Sequence, residues 1–560
     1  MDVTGHTFQS ELPRILEAIA NSRVVCFDLE LSGIPGKQTG QARASGRSED
    51  GKQTLQKRYE ETKRAAERYQ ILQLGLTCVE EDLKTGVYVT RAYNFLMNPV
   101  TDKRLGVERD FTYQSGAVDF LLGVNFRMEA LFKEGVPYFS RQEEARARSI
   151  ASARQDRSSI DDLHIPIDDL DSITFVQRVR KETTDWVKLW RGQGTSETTF
   201  LNIAPLNHRT PSYNGRGLNG YQKRLVHQLI RAEFPDVVSI SKPEFIQLIP
   251  YDKQREKAQS QKKVAWFERS LTSQIGLRWV AEALCPNVDR VLFADLKAPK
   301  ASGDLAAVAS AGWIYPPYPI SELKAGVIAL RFEKMLHKLK AKRTILVGHN
   351  LFLDLIYFFM CFFGPLPDRV EGFQSIVGQL FPLVFDTKYL ADKINDNSPL
   401  YRSSLEEIDR ELSRLAVPII ESPPEHNKYN SESPVHEAGF DSFLTARVLL
   451  RLSTRTEVER RSGVESPGSV SDESLSVSED GGVLLSHAEQ AKATSHPDGK
   501  AGPSAFSHGN PFAVLRDLGL EDAPQHIMMP QEDSPFWLQY GNKLRVNGTV
   551  EGVCVIPIIR

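Results

Sequence analysis

Cysteine is scarce in this chain. Five residues in 560 (Cys26, Cys78, Cys285, Cys361 and Cys554) form an odd, scattered set without a Cys-x-x-Cys pair. That excludes a disulfide framework and argues against a structural zinc module, and it fits a reducing compartment. Net charge is equally slight. Lys and Arg total 69 against 72 for Asp and Glu, a formal charge of −3, so a polyanion would have to be held by local basic stretches or by metal ions. No long apolar run exists either. The longest, Leu351 to Leu366, is interrupted by Asp354 and falls short of the ~20 residues a membrane-spanning helix needs. The chain opens without a basic segment leading into an apolar one, so no signal peptide is expected, and the reading is a soluble protein of cytoplasm or nucleus without a membrane partner.

What remains is an ordinary globular balance, 41% hydrophobic and 25% charged, at a length that predicts more than one domain. An apolar stripe through Phe8, Leu12, Ile15, Leu16 and Ile19 predicts a first helix. Strands are expected at VVCFDLE, at YQILQLGLTCVE and at GVYVTRAYNFLMNP, the last two joined by a polar turn at Asp82–Gly86. Residues 36–68 read as a flexible basic loop and 140–165 as a charged connector. Helix at Phe175–Leu189 and Leu218–Phe234, a strand near Val237–Ile249 and a basic run after it suggest a small inserted module. A helix at Ile320–Lys342, the strand TILVGHN, an apolar helix from Leu351 and the strand PLVFDTKYLA follow. The expected division is 1–165 and 264–452 as two halves of one domain, 166–263 as the insert, and 265–320 as an unrecognised insertion. A disordered Ser-, Gly- and Glu-rich linker is expected at 453–510, with strands returning at 511–560.

The chemistry gathers at the ends of apolar elements. Asp28 and Glu30 close the first strand, and residues i and i+2 of a strand share a face. Asp354 follows VGHN at the start of an apolar helix, and Asp441 stands five residues after His436 in HEAGFD. Singly, each has a bland explanation as a cap, a surface pair or a loop residue. Together, clustered carboxylates cannot all ionise near neutral pH without a cation, and oxygen-rich sites suit Mg²⁺ or Mn²⁺ better than zinc. Asp386 in FDTK competes for the fourth acidic role; Asp441 is preferred because of its His, and Asp386 is expected to cap or orient a turn.

This ordered set resembles the DEDD-type 3′ exonucleases, and within them the poly(A)-specific ribonucleases among the deadenylases. Supporting stretches are ELSGI at 30–34, YQILQLGL at 69–76, YNFLMNP at 93–99, YQSGAVDFL at 113–121, GVPYF at 135–139, GHNLFLD at 348–354, FDTKYLA at 385–391 and HEAGFD at 436–441. The resemblance implies an α/β, RNase H-like mixed-sheet nuclease domain with an inserted single-strand-binding module. It implies two Mg²⁺ or Mn²⁺ ions, one held by Asp28, Glu30 and Asp441 and the other positioned by Asp28 and Asp354. His436 would be the general base, and nucleoside 5′-monophosphates would leave the 3′ end of single-stranded RNA, poly(A) above all. Ser32, Ile34, Asn350 and Lys388 lie in motifs whose counterparts line the nucleotide pocket. In the insert, Lys223-x-x-x-His227 stands where the family has Arg-x-x-x-His, so Lys223 and His227 are either phosphate contacts or a solvated helix face. No counterpart of the RNA-recognition domain that follows the nuclease in such enzymes is expected here, and a homodimer is allowed. Two rivals stay open: a catalytically silent RNA-binding scaffold and a DNA-directed exonuclease of the same superfamily.

Overall fold

The computed structural model describes residues 1–36, 52–155, 163–193, 199–205, 217–285, 334–335, 337–341, 344–394, 404–415, 417–461, 529–531 and 534–558. Contacts divide the chain into two compact units: one of Met1–Val100, Arg109–Arg141 and Ile275–Arg560, the other of Thr101–Glu108 and Gln142–Gln274. In chain order the strands begin with β1 (Asp2–Val3), β2 (Val24–Leu31), β3 (Ile71–Asp82), β4 (Val87–Asn98) and β5 (Val136–Pro137). Next come β6 (Leu201–Ile203), β7 (Val237–Ser241) and β8 (Ile246–Pro250) in the second unit, then β9 (Ile345–Gly348), β10 (Leu383–Asp386) and β11 (Ile420–Glu421). β12 (Lys543–Arg545) and β13 (Val553–Val555) close the series.

The first unit is built on a mixed sheet in the order β1-β4-β3-β2-β9-β10, with β5 and β11 also pairing with β4. β3 runs antiparallel to both β2 and β4, whereas β9 and β10 run parallel to β2 and to each other. This is the mixed α/β sheet that the strand, turn and crossover pattern predicts. The β3–β4 turn forms at the expected place: Gly86 adopts a φ of 75°, and the Asp82 carboxylate accepts from the Lys84 amide and the Thr85 hydroxyl.

β2 sits between β3 and β9, which explains its apolar first half. Val24 and Cys26 pack in a core with Ala446, Leu449, Phe385 and Trp537, which places the Ala438–Arg461 helix over that face. Phe27, turned the other way, meets Phe358 of the Phe352–Phe362 helix with ring centroids 5.4 Å apart. That helix is the apolar run noted in the sequence, and it is buried. Among the described residues no helix is long and apolar enough to cross a membrane.

Two stretches read as irregular are helices. Leu55–Arg68 lies within the supposed basic loop. Its buried residues, Leu55, Tyr59, Thr62, Ala65 and Ala66, recur at helical spacing, but alanine and threonine among Lys, Arg and Glu give little hydropathy signal. Thr54 caps it by accepting from the Lys57 amide, and the Tyr59 hydroxyl donates to the Pro367 carbonyl at 2.6 Å. Arg141–Gln155 likewise replaces the charged connector; its Arg148 pairs with Glu144 one turn away and with Glu268.

In the second unit β6, β8 and β7 form an antiparallel sheet, covered by Leu170–Gln193 and Gly220–Glu233 around a core that includes Val179, Trp186, Val226, Ile230 and Leu248. The single strand expected near Val237–Ile249 is the β7–β8 hairpin. The unit is wider than 166–263, because the basic run begins a 23-residue helix, Lys253–Ile275. Residues 286–320 of the expected insertion and most of the Ile320–Lys342 helix lie outside the described residues. So does most of the expected linker, whose first residues belong to the Ala438–Arg461 helix instead.

Gly75 controls how close that helix comes to the sheet. It lies in register with Asp28 of β2 on one side and Asn94 of β4 on the other. A Cβ at Gly75 would stand 1.8 Å from the Ala438 carbonyl oxygen and 2.5 Å from the Gly439 nitrogen. Backbone cannot yield as a flexible side chain would. Gly75→Ala should therefore cost about 1–3 kcal/mol, the usual range for overpacking, seen as a lowered urea midpoint with an unchanged slope; an unaltered midpoint would contradict this close approach.

Candidate active site

The row that begins with Val24 and Cys26 continues along β2 as Asp28 and Glu30. Where the strand leaves the core, its side chains change from apolar to acidic, and both carboxylates are only half-buried. Asp354 lies in the first turn of the Phe352–Phe362 helix and Asp441 in the first turn of the Ala438–Arg461 helix. His436 occupies the turn before the latter, at a φ of 62° that non-glycine residues seldom adopt. Ligand atoms of Glu30, His436 and Asp441 all lie within 4.8 Å of one another. Asp28 feels the charges of Asp354, Asp441 and Glu30. Five residues from three distant stretches thus share one place.

Burial and mutual repulsion strain this group. Burial first, then Asp441 and Asp354, pushes Glu30 up to about 9. Burial and Asp386 push Asp354 to about 8, and burial with Glu406 and Glu437 pushes Asp441 to about 7. Asp28 is held well above the usual carboxylate range by burial and by all three neighbouring acids. Oxygen donors carrying this much repulsion fit a hard divalent cation, with the His436 imidazole alongside.

Asp386 does something else. It is fully buried and accepts backbone N–H groups from Asn350 (2.9 Å), Leu351 (3.2 Å), Lys388 (2.9 Å) and Arg545 (2.9 Å). It ties the turn that delivers Asp354 to β10 and to β12, and its oxygens are occupied in doing so. The turn itself needs Asn350 at a φ of 62°, which asparagine tolerates better than most residues.

The expected pocket residues separate. Ile34 is 52% exposed, Asn350 is exposed, and Lys388 is half-buried with its ammonium held below its ordinary pKa, by burial first and then by Arg545. Ser32 is fully buried, its hydroxyl donating to the Thr112 carbonyl and accepting from the Gln70 amide, so it closes the end of β2. Lys223 and His227 are engaged within their own unit. The Lys223 ammonium donates to the carbonyls of Lys242 and Pro243, and the His227 ring nitrogens bond the Ser239 and Ser241 hydroxyls. There they brace the Gly220–Glu233 helix against the β7–β8 hairpin.

Three further residues stand at the site without having been singled out. Phe120 sets its ring edge-on to His436 at 4.8 Å, the Tyr357 hydroxyl donates to the Gly33 carbonyl at 2.8 Å, and Gln73 accepts the Ala438 amide at 2.9 Å. A glutamine inside an otherwise apolar strand was the available signal for the last, and the stretch YQSGAVDFL for Phe120; Tyr357 carries none.

A CAF1 family ribonuclease model matches residues 3–449. The poly(A)-specific ribonuclease PARN of Xenopus laevis is 22% identical over 472 residues, 81% of this chain and 62% of that protein. The poly(A)-specific ribonuclease PNLDC1 of mouse is 24% identical over 463 residues, covering 81% and 71%. An uncharacterised Schizosaccharomyces pombe protein is 25% identical over 472 residues, covering 82% and 94%. The chain thus spans about six tenths of the length of the PARN relatives it matches. Among solved structures, S. pombe Pop2p in its Mg²⁺- and Mn²⁺-bound form overlaps 81% of this chain and 92% of that one at 12% identity and a TM-score of 0.32, too loose to compare sites.

A carboxyl whose folded pKa is raised binds a proton that the unfolded chain has already lost, so stability falls as pH rises between the two values. For Glu30, Asp354 and Asp441 that window runs from about 4, the unfolded value, to the folded values of about 9, 8 and 7. Melting in EDTA should therefore drop as pH is raised from about 5 to about 8. Mg²⁺ should restore more at the upper end, and Asp354→Asn should flatten the EDTA profile; a flat wild-type profile would contradict the crowding.

Proposed function

The chain belongs to the CAF1 family of ribonucleases, and from that membership we propose that it is a metal-dependent 3′→5′ exoribonuclease acting on single-stranded RNA 3′ ends, poly(A) tails included. The observation that carries the proposal is the convergence of Asp28, Glu30, Asp354 and Asp441 with His436. A binding scaffold has no physical need for such a repulsive cluster. The PARN and PNLDC1 relatives are named as poly(A)-specific ribonucleases, which favours RNA over DNA as substrate.

Asp28, Glu30 and Asp441 would hold one Mg²⁺ or Mn²⁺, and Asp28 with Asp354 a second. Bound there, such ions lower the pKa of water and offset charge on a phosphodiester. The protein's own part is to orient and to move a proton. His436, with a ring nitrogen within 4.8 Å of the Glu30 and Asp441 carboxylates and its ring edge-on to Phe120, accepts the proton of the attacking water at an imidazole nitrogen. Ile34, exposed beyond the end of β2, offers an apolar contact for a terminal base, and Asn350 and Lys388 lie on the side of Asp354. Hydrolysis of the last phosphodiester releases a nucleoside 5′-monophosphate and leaves a chain one residue shorter.

End-labelled A-tailed RNA, mixed-sequence RNA and DNA oligonucleotides, each with and without Mg²⁺, test this reading. Shortening of RNA from the 3′ end in Mg²⁺ alone is expected. Asp28→Ala and Asp354→Ala should abolish it, and His436→Ala should lower turnover by about 10²–10⁴-fold, the usual worth of a general base. RNA binding without shortening would favour the scaffold, and equal cleavage of DNA the wider nuclease reading.

A further inference from the structure

His436 is poised on a turn that its own packing does not secure. Its left-handed backbone is costly for a residue with a Cβ. Behind the turn lies an open cleft of about 680 Å³, lined among others by Asp2, Asn94, Lys428, Val435, His436 and Glu437. Val435, next to the histidine, is 45% exposed. A strained turn with empty space beside it stays in place only if something polar holds it.

Those polar contacts flank the histidine on the side of Glu437. The Glu437 carboxylate accepts from the Lys428 ammonium at 2.7 Å and from the Tyr429 hydroxyl. Lys428 donates equally to Asp2 at 3.0 Å, and Asp2 accepts from the Asn94 side-chain amide at 3.0 Å. Asn94 in turn accepts the Gly439 backbone N–H at 3.2 Å, beside the Gln73 bond to Ala438. The path closes on itself: Glu437, Lys428, Asp2, Asn94, Gly439. It fastens the turn to β4 at the edge of the cleft. Gly439 has no room for anything larger, since a Cβ there would stand 2.3 Å from the Tyr429 hydroxyl and 2.7 Å from the Asn94 Cβ. None of these side chains is among the acids proposed to hold metal, and Lys428 touches neither His436 nor Asp441 among the contacts described.

We propose that Lys428, through its bridge between Glu437 and Asp2, is a positioning residue for His436. It fixes the turn so that the imidazole stays beside Glu30 and Asp441 without drifting into the cleft behind it. The proposal rests on the exonuclease reading above. It separates the placement of the base from the gathering of the acids: loss of the bridge leaves the carboxylates where they are and lets the imidazole wander.

The test measures steady-state kinetics on A-tailed RNA for wild type, Lys428→Met, Lys428→Arg and Tyr429→Phe, with Lys428→Met also made in the His436→Ala background. Misplacement of a reacting group by an ångström costs up to about 10²-fold. Lys428→Met should accordingly lower kcat by about 10–100-fold, with KM and the Mg²⁺ concentration for half-activity within twofold of wild type. Lys428→Arg should recover most of the loss. Tyr429→Phe, which keeps the ring and removes one bond to Glu437, should show a smaller loss of the same kind and serves if Lys428→Met does not fold. In the His436→Ala background Lys428→Met should cost nothing further, because the residue acts only through the imidazole. An equal loss in both backgrounds, a shifted Mg²⁺ dependence, or full kcat in Lys428→Met would each overturn the proposal. A wild-type protein that leaves RNA intact would overturn the exonuclease reading instead.

Discussion

Crowding of like charge is the constraint to which the rest of the first unit answers. Four carboxylates share one place, and burial makes each more expensive to ionise in the others' company. Left to a loop, such groups would separate. Here each is fixed to an element that apolar packing holds fast: β2 between two neighbouring strands, the Phe352–Phe362 helix through Phe358 on Phe27, the Ala438–Arg461 helix through Ala446 and Leu449 on Val24 and Cys26. The hydrophobic core holds the acids together against their repulsion, and a divalent cation would relieve it.

Two aspartates show how one residue type takes opposite roles. Asp386 is surrounded by five backbone N–H donors that satisfy its oxygens, and it organises the turn before Asp354. Asp354, only a few residues beyond that turn, has other acids for company. The difference lies in the donors that the fold supplies to each. Lys223 and His227 make the same point in the second unit, where a pair that reads as a nucleic-acid motif is occupied with serine hydroxyls and hairpin carbonyls.

Much of this was legible in the residues. β2, β3, β4 and the apolar helix show plain periodicity, and the alternation along β2 already placed Asp28 and Glu30 on one face. The Leu55–Arg68 helix was hidden because beyond Leu55 its buried side is made of alanine, threonine and a tyrosine. The bonds that tie the Ser32 hydroxyl to Gln70 and Thr112 were hidden too, because partners that distant in the chain leave no local pattern. The polar contacts that hold the His436 turn were illegible for the same reason. They join residues 2, 94, 428 and 437, which only the folded sheet brings together.

The stretch near the far end of the chain stands apart from the segment that matches the family, 3–449, yet its hydrogen bonds tie it to β3 and β10. The Asn542 amide donates to the Val384 carbonyl while its side chain accepts from the Val384 amide, Arg545 supplies one of the backbone donors to Asp386 and pairs with Asp392, and the Met529 amide reaches Glu81 on β3. A graft or chimaera cut at the family boundary would carry every acid of the site and still be unfinished. It would bare the edge of β10, leave Asp386 one donor short, and loosen the turn on which Asp354 rides. The set of clustered acids and the smallest piece able to hold it in shape are therefore not the same length of chain.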